Sequence, residues 1–283
     1  MIRTALLALL CIIGLPLASQ AQNFELGVFG GVAHYNGEMT PSRITAEQLN
    51  ESFGVFGRYN FNSHFALRGA ITYGRLSGDD ANHTSPDLVA RNLSFRSNVY
   101  EFGVTGEYNL LGLDKYMPFS PYLFAGIAVF HHNPQALYNG TWVDLQPLGT
   151  EGQGTAAYPE RRPYSLWQVS IPFGAGVKVQ FAEKVTLGVE AGLRRTFTDY
   201  LDDVSTTYVD RGILANENGQ LAVRMMDRSG EIMSDPPARS EGSIRGNPDV
   251  QDYYAFMGMT LSIKLGKLGG RFRGVQYGCP GKF

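Results

Sequence analysis

An alternating pattern of apolar and polar residues runs from Trp167 to Phe197. The odd-numbered positions are apolar as far as Phe181, and the positions between them are polar residues, glycine or proline. The alternation is interrupted by Ala182–Lys184 and then resumes. A period of two indicates a strand with one apolar face, so the interruption predicts a hairpin. Strands of about 13 to 15 residues are longer than the usual 5 to 6 and are typical of an outer-membrane barrel.

Six further segments alternate in the same way, which predicts eight strands in total. These segments are 24–32, 53–61, 65–73, 92–110, 122–130 and 253–265. The faces of the strand over 122–130 are ambiguous because both are apolar. Pro172 lies inside a strand of a closed barrel, which has no edge to hold a proline, and a β-bulge is expected there.

The connections between these strands alternate in length. Two are short, over 62–64 and 182–184; one is of medium length, over 111–119; four are long, over 37–51, 76–91, 131–164 and 199–251. Bacterial barrels alternate short periplasmic turns with long outer loops. The pattern therefore predicts an all-β protein, an eight-stranded antiparallel transmembrane β-barrel with long extracellular loops and periplasmic termini.

The final loop, Asp199–Gln251, combines strand-like and acidic segments. Thr206–Val209 and Leu221–Met225 have strand-like composition and are expected to pair as a hairpin. Four acidic residues could chelate calcium, but their spacing misses the pattern of a calcium-binding loop, so solvated loop charge is favoured. They are Asp199, Asp202, Asp203 and Asp210.

The first residues predict export. Arg3 precedes an apolar run over 5–17, and the small residues that follow predict cleavage after Ala21. The run is shorter than the roughly 18 residues of a transmembrane helix. The expected division is a signal peptide over 1–21, a barrel over 22–265 and a periplasmic C-terminal tail over 266–283.

Composition agrees with a membrane barrel. Aromatic residues make up 12% of the chain and glycine 34 of 283 residues, yet the mean hydropathy is −0.15. Such a value is expected when lipid-facing and lumen-facing residues alternate. The net charge of −2 and the absence of a basic patch argue against nucleic acid as a partner.

The polar faces of the predicted strands carry eight charged residues whose signs balance. They are Glu25, Glu101, Glu107 and Glu190 with Arg58, Arg68, Lys178 and Arg194. An eight-stranded barrel is too narrow to conduct, so its lumen is filled with side chains. The cluster is either a proton or ion path or a salt-bridged plug, and the plug is favoured because unpaired buried charge is costly.

The chain shows no pattern that predicts an enzyme, a metal site or a cofactor. His131 and His132 are adjacent on a strand and therefore point to opposite faces, which disfavours a shared metal. Ser170 and Ser262 face the lumen with no histidine predicted beside them. A non-enzymatic protein is expected.

Four segments resemble those of the PorG family, the small outer-membrane barrel of the type IX secretion system. They are Arg91–Ser97, Ser120–Gly126, Pro147–Gly154 and Thr196–Ser205. The resemblance spans nearly the whole mature chain. It implies a subunit that joins the outer membrane to the periplasmic ring of the lipoprotein PorK and PorN. The alternative is a stand-alone structural or adhesive barrel of the OmpA/OmpX kind, and a lipid-modifying or proteolytic enzyme ranks last.

The tail after Lys264 is basic and rich in glycine. Arg271 and Arg273 supply charge, and Phe272, Tyr277 and Phe283 supply apolar anchors, which suits a segment that orders against a periplasmic partner. Cys279 is the only cysteine after the predicted cleavage, which suggests a free thiol or an intermolecular bond. With the resemblance, we expect a disulfide between Cys279 and the ring lipoprotein.

Overall fold

Eight long strands form a barrel in the computed structural model, which describes residues 23–40, 48–113, 117–237 and 239–265. The strands are β1 (Phe24–Asn36), β2 (Asn50–Asn60), β3 (Phe65–Asp79), β4 (Ser94–Asn109), β5 (Phe119–His131), β6 (Pro134–Tyr138), β7 (Thr141–Asp144), β8 (Trp167–Gln180), β9 (Val185–Thr196) and β10 (Tyr253–Lys264). Strands β6 and β7 form a short hairpin outside the barrel wall. The segment predicted to be a signal peptide, residues 1–21, and the tail with Cys279 lie outside the described residues.

The barrel is a closed antiparallel meander. Its wall runs β1-β2-β3-β4-β5-β8-β9-β10, and β10 pairs with β1 to close it. Closure leaves no free sheet edge, so every wall strand has a hydrogen-bonded neighbour on both sides. The predicted eight-stranded antiparallel barrel is confirmed.

The outward face of the wall is an apolar band bounded by aromatic side chains. Phe102, Ile127 and Met259 are 58%, 69% and 61% exposed, although such side chains are normally buried. At one end of the band, aromatic residues lie at neighbouring positions on successive strands and form a girdle. They are Phe53, Tyr73, Tyr100 and Trp167. Phe61, Phe65, Tyr108, Phe119 and Phe181 are exposed at the other end. An apolar band between two aromatic girdles is the outer surface of a transmembrane β-barrel.

The two ends of the barrel differ. The turn end carries the short connections, over 61–64 and 181–184, and the loop end carries the four long ones. Within the described residues the helices are α1 (Pro86–Arg91), α2 (Arg211–Glu217) and α3 (Gln220–Met226), with 3₁₀ turns at Asp80–Asn82, Gln146–Leu148 and Ser229–Glu231. No helix in this part of the chain is long and apolar enough to span a membrane.

The prediction of a hairpin inside the final loop is wrong. Leu221–Met225 lies in α3, and Thr207 instead makes an isolated bridge with Ile244. The segment has an apolar face at helical spacing, because Ala222, Met225 and Met226 are all buried. A strand there would place alternate apolar residues in solvent, so the helix is the better solution.

The β-bulge expected at Pro172 is also absent. β8 keeps one register with β9 throughout and one register with β5 on either side of the proline. The ladder to β5 lacks only the pairs opposite Ile171 and Pro172. Pro172 therefore leaves a local gap in hydrogen bonding without adding a residue.

The main hydrophobic core lies in the upper lumen and continues into the loops. It joins lumen residues such as Phe29 and Phe256 to loop residues such as Leu93, Leu201 and Met225. A second cluster is built on Tyr208, Leu214 and Met226. The long connections thus form a packed cap on the barrel.

Candidate functional site: the lumen and the cap

All eight charged residues predicted for the lumen lie inside the barrel. Each is at most 7% exposed. They come from six strands and meet because alternate residues of every wall strand point inward. Four acidic and four basic groups together carry no net formal charge.

Glu107 of β4 is the central acceptor of the lumen. Its carboxylate lies 2.8 Å from Arg58 Nε and 3.4 Å from Arg68 Nε, and it also pairs with Lys178. Arg58 Nη1 in turn lies 2.9 Å from Glu25 Oε2. Three strands therefore supply cations to one carboxylate, and the charges are compensated within contact distance.

Two further pairs extend the network along the lumen. Arg68 binds Glu190 through two N–H groups, at 2.7 and 3.0 Å, and the Tyr122 hydroxyl donates to the same carboxylate. Nearer the cap, Arg194 Nε lies 3.2 Å from Glu101 Oε2. Paired N–H groups on one carboxylate form the strong, geometrically defined type of ion pair.

Aromatic rings fill the space between the charged groups. The Arg58 and Arg68 guanidinium groups lie 4.9 and 5.3 Å from the centre of the Phe56 ring. The guanidinium group of Arg194 lies 4.4 Å from the Phe256 ring centre. Packed rings and paired charges occupy the described lumen side by side, which favours the plug over an ion path.

The closed lumen predicts the electrical behaviour of the protein. In planar bilayers, the purified barrel should show no steady conductance because the ion pairs and rings occupy its axis. Single-channel recording checks this prediction, with a porin of known conductance as the positive control. A persistent open state in most reconstituted molecules would contradict the plug.

The cap is held together by Arg245, a fully buried cation. Its guanidinium group lies 2.8 Å from Glu151 Oε1 and donates to the Asp203 carbonyl at 2.6 Å. Although burial opposes the charge, Glu151 and Asp203 raise the pKa of Arg245. The Arg245 carbonyl accepts from Arg91, whose guanidinium group is held by both oxygens of Asp80. The network joins connections that are far apart in the sequence.

Glu151 anchors this network from a glycine-rich segment. The segment turns at Gly149, Gly152 and Gly154, which have positive φ angles of 56°, 83° and 79°. Only glycine adopts this region without strain, so the three glycines wrap the chain around Glu151. Glu151 then accepts from the backbone N–H groups of Ser205 and Thr206. The dense glycine pattern of 147–154 is the sequence signal for this feature, whereas no local signal marks Arg245.

Three of the four aspartates considered for calcium in the final loop are buried, although solvated charge was expected. Asp199, Asp202 and Asp203 are 8%, 0% and 0% exposed. Burial raises the pKa of Asp203 to about 6 despite Arg245, and Thr150 and Tyr164 donate to its carboxylate. Asp210 alone has an ordinary local role, as the N-cap that accepts from the Ile213 N–H. The loop folds back onto the barrel and buries these three carboxyl groups.

The expected partner-binding residues lie outside the described residues. They are Arg271, Phe272, Arg273, Tyr277, Cys279 and Phe283. The last described residue, Leu265, donates its N–H to the Phe24 carbonyl at 2.8 Å. The chain therefore leaves the barrel at the turn end, beside its first strand.

A family described as "Domain of unknown function (DUF6089)" matches residues 3–148, just over half of the chain. The chain belongs to the DUF6089 family. The match covers β1 to β7 of the DUF6089 chain and ends before the final loop. No curated protein matches the sequence.

Solved barrels resemble the DUF6089 chain at low identity. Neisserial surface protein A is 11% identical with a TM-score of 0.41, and the alignment covers 86% of this chain and 97% of that one. Ail of Yersinia pestis is 8% identical with a TM-score of 0.38, covering 85% and 97%. OprG of Pseudomonas aeruginosa is 8% identical with a TM-score of 0.38, covering 86% and 97%. Similarity at this level carries no conclusion about function.

Proposed function

We propose that this protein is a non-enzymatic outer-membrane subunit of the type IX secretion machinery that anchors the periplasmic ring of PorK and PorN. The closed barrel with its apolar band supplies a membrane anchor. Its lumen is filled with paired charge, so the protein holds other components in place and does not itself conduct.

One observation carries the proposal. Three of the four segments that resemble the PorG family meet in the cap: Arg91 contacts Arg245, Arg245 pairs with Glu151, and Glu151 binds the Ser205 N–H. The residues that carry the resemblance therefore build a single packed unit. This supports a shared cap structure, because scattered matches to generic barrel strands would not converge in this way.

The other end of the barrel supports contact with a periplasmic ring. Residue 265 lies at the turn end, so the basic, glycine-rich tail over 266–283 begins on the side of the short turns. Short turns face the periplasm in bacterial barrels. In this proposal Phe272, Tyr277 and Phe283 dock on the ring, Arg271 and Arg273 add charge, and Cys279 bonds to the ring lipoprotein.

Purification from gently solubilised membranes tests the proposal. We expect PorK and PorN to co-purify with the full-length protein. On non-reducing gels a higher-mass adduct should appear and should vanish with reductant or with Cys279→Ser. Co-purification without the adduct would reduce the tail to non-covalent docking, and the absence of both ring proteins would contradict the proposal.

A stand-alone adhesive barrel is the second candidate. The cap exposes apolar side chains, with Ile232, Ile244 and Val250 at 56%, 80% and 53%. Exposed apolar residues on an outer loop suit contact with another surface. This candidate predicts a monomer in mild detergent without ring proteins and weaker cell attachment when Ile244 is replaced by serine.

A further inference from the structure

Three carboxyl groups meet where the cap joins the barrel, and a fourth acts on them through its charge. Glu38 follows β1, Asp199 and Asp202 follow β9, and Asp252 immediately precedes β10. One carboxylate oxygen of each of Glu38, Asp202 and Asp252 lies within 4.8 Å of the other two. Asp202 and Asp252 are buried, and Glu38 is half-buried. The β1–β2 and β9–β10 connections thus bring acidic groups to a single point.

The fourth group is Asp199, a buried carboxyl group whose charge reaches this point. Its side chain is 8% exposed, and neither of its carboxylate oxygens has a hydrogen-bond partner. The Ser205 hydroxyl is close enough to favour the ionised form but lacks hydrogen-bonding geometry. The charge of Asp199 acts on Glu38 and Asp252. A buried carboxylate without donors is costly, so these oxygens point to a ligand.

No basic side chain in the described part of the chain forms an ion pair with any of the four. Arg91 is the cation whose charge reaches Glu38 and Asp202. Its guanidinium group is already held by both oxygens of Asp80, at 2.7 Å each. Neighbouring carboxylates cannot all stay ionised without a counter-charge. The described chain therefore supplies no cation to balance the charge of this group.

The neighbouring donors orient the carboxylates and leave acceptor capacity. The Tyr35 hydroxyl lies 2.7 Å from Asp202 Oδ2 and 3.0 Å from Asp252 Oδ1, so it can donate to only one of them at a time. Three backbone N–H groups, those of Leu201, Val204 and Asn247, donate to Asp252, Asp202 and Glu38. Each carboxylate oxygen has two lone pairs, so oxygens that accept one bond remain available.

Gly37 keeps the backbone against this group. A Cβ atom at this position would lie 1.9 Å from both Asp252 Oδ1 and the Tyr35 hydroxyl. Glycine therefore allows the turn after β1 to carry Glu38 up to the carboxylates of the final loop.

We propose that Glu38, Asp199, Asp202 and Asp252 bind a calcium ion that ties the cap to the barrel. Calcium takes six to eight oxygen ligands at about 2.3 to 2.6 Å, so oxygens on opposite sides of the ion lie about 5 Å apart. The three carboxylate oxygens all lie within 4.8 Å of one another, which is compatible with this geometry. The site is separate from the proposed secretion role, which rests on the tail and the ring proteins.

Calcium titration of the full-length protein in detergent tests the site. After removal of metals with EDTA, we expect calcium to bind with a dissociation constant of about 1 mM or below. Saturating calcium should raise the thermal midpoint by about 5 °C. Isothermal titration calorimetry measures the first quantity and near-ultraviolet circular dichroism the second.

Amide variants separate metal binding from folding. Asp199→Asn should weaken calcium binding at least about tenfold and abolish the midpoint shift. In EDTA the same variant should be as stable as the unmodified protein or more so, because it removes a buried like charge. Asp249→Asn is the matched control, since Asp249 is an exposed aspartate of the same loop, and it should respond to calcium normally.

Two results would overturn the proposal. The first is no calcium-dependent shift in the unmodified protein. The second is an equal shift in Asp199→Asn, which would place the bound ion elsewhere. An equal response to magnesium at the same concentration would overturn the assignment to calcium, because magnesium demands shorter bonds and a near-octahedral shell.

Discussion

Replacing Glu107 by glutamine lowers the free energy of unfolding by about 3 to 5 kcal/mol, the cost expected when one partner of a buried ion pair is removed. In this variant Arg58 retains its ion pair with Glu25, and Arg68 retains its ion pair with Glu190. Among the described residues, Lys178 loses the one carboxylate with which it forms an ion pair, and it retains Asn109 Oδ1 at 3.1 Å. The cost therefore falls mainly on one buried ammonium group. Urea unfolding of the refolded barrel in micelles measures it.

The origin of this loss can be tested with a second substitution. Adding Lys178→Met to Glu107→Gln restores the balance of lumen charge and should recover a large part of the stability. Glu183→Gln is the matched control, because Glu183 is exposed in the turn after β8 and its replacement should change stability by less than about 0.5 kcal/mol. A double variant no more stable than Glu107→Gln would show that charge balance is not the cause.

Replacing Arg245 by methionine releases the final loop from the barrel. The substitution leaves Glu151 buried without its cation and removes the donor to the Asp203 carbonyl. Such a loss costs about 3 to 5 kcal/mol. Because local opening controls cleavage, protease sensitivity of Asp210–Asp235 should rise by about 100-fold or more while the barrel wall stays intact.

Limited proteolysis of the folded protein, followed by mass spectrometry, measures this release. Arg162→Met is the control, since Arg162 is an exposed arginine of a neighbouring connection. In this variant Asp210–Asp235 should be cleaved at the same rate as in the unmodified protein. Rapid cleavage throughout Asp210–Asp235 in the unmodified protein would contradict a packed cap.

The barrel wall and its charged lumen could be predicted from the sequence. Period-two alternation assigns each residue to a face once a strand is recognised, so Glu107, Lys178 and the other six charges had to point inward together. The strand over 122–130 was the exception, because both of its faces are apolar. Its pairing with β4 and β8 decides that Phe124 points inward and Leu123 outward.

The cap could not be predicted, because its contacts join residues that are far apart in the sequence. Arg245 and Glu151 are 94 positions apart, and Glu38 and Asp202 belong to different connections. A loop has no periodic pattern that assigns its residues to a buried or an exposed face. An acidic loop residue is therefore predicted to be solvated until its partners are known.

The sequence by itself thus determined the number of strands in the wall, the two faces of the wall and the balanced lumen, since all of these follow from local alternation. Only the tertiary structure decided that Leu221–Met225 is helical, that Pro172 needs no bulge and that the loop acids are buried. The helix and the buried acids depend on contacts from distant connections, which outweigh local preference there, whereas at Pro172 the neighbouring strands keep their register across a local gap.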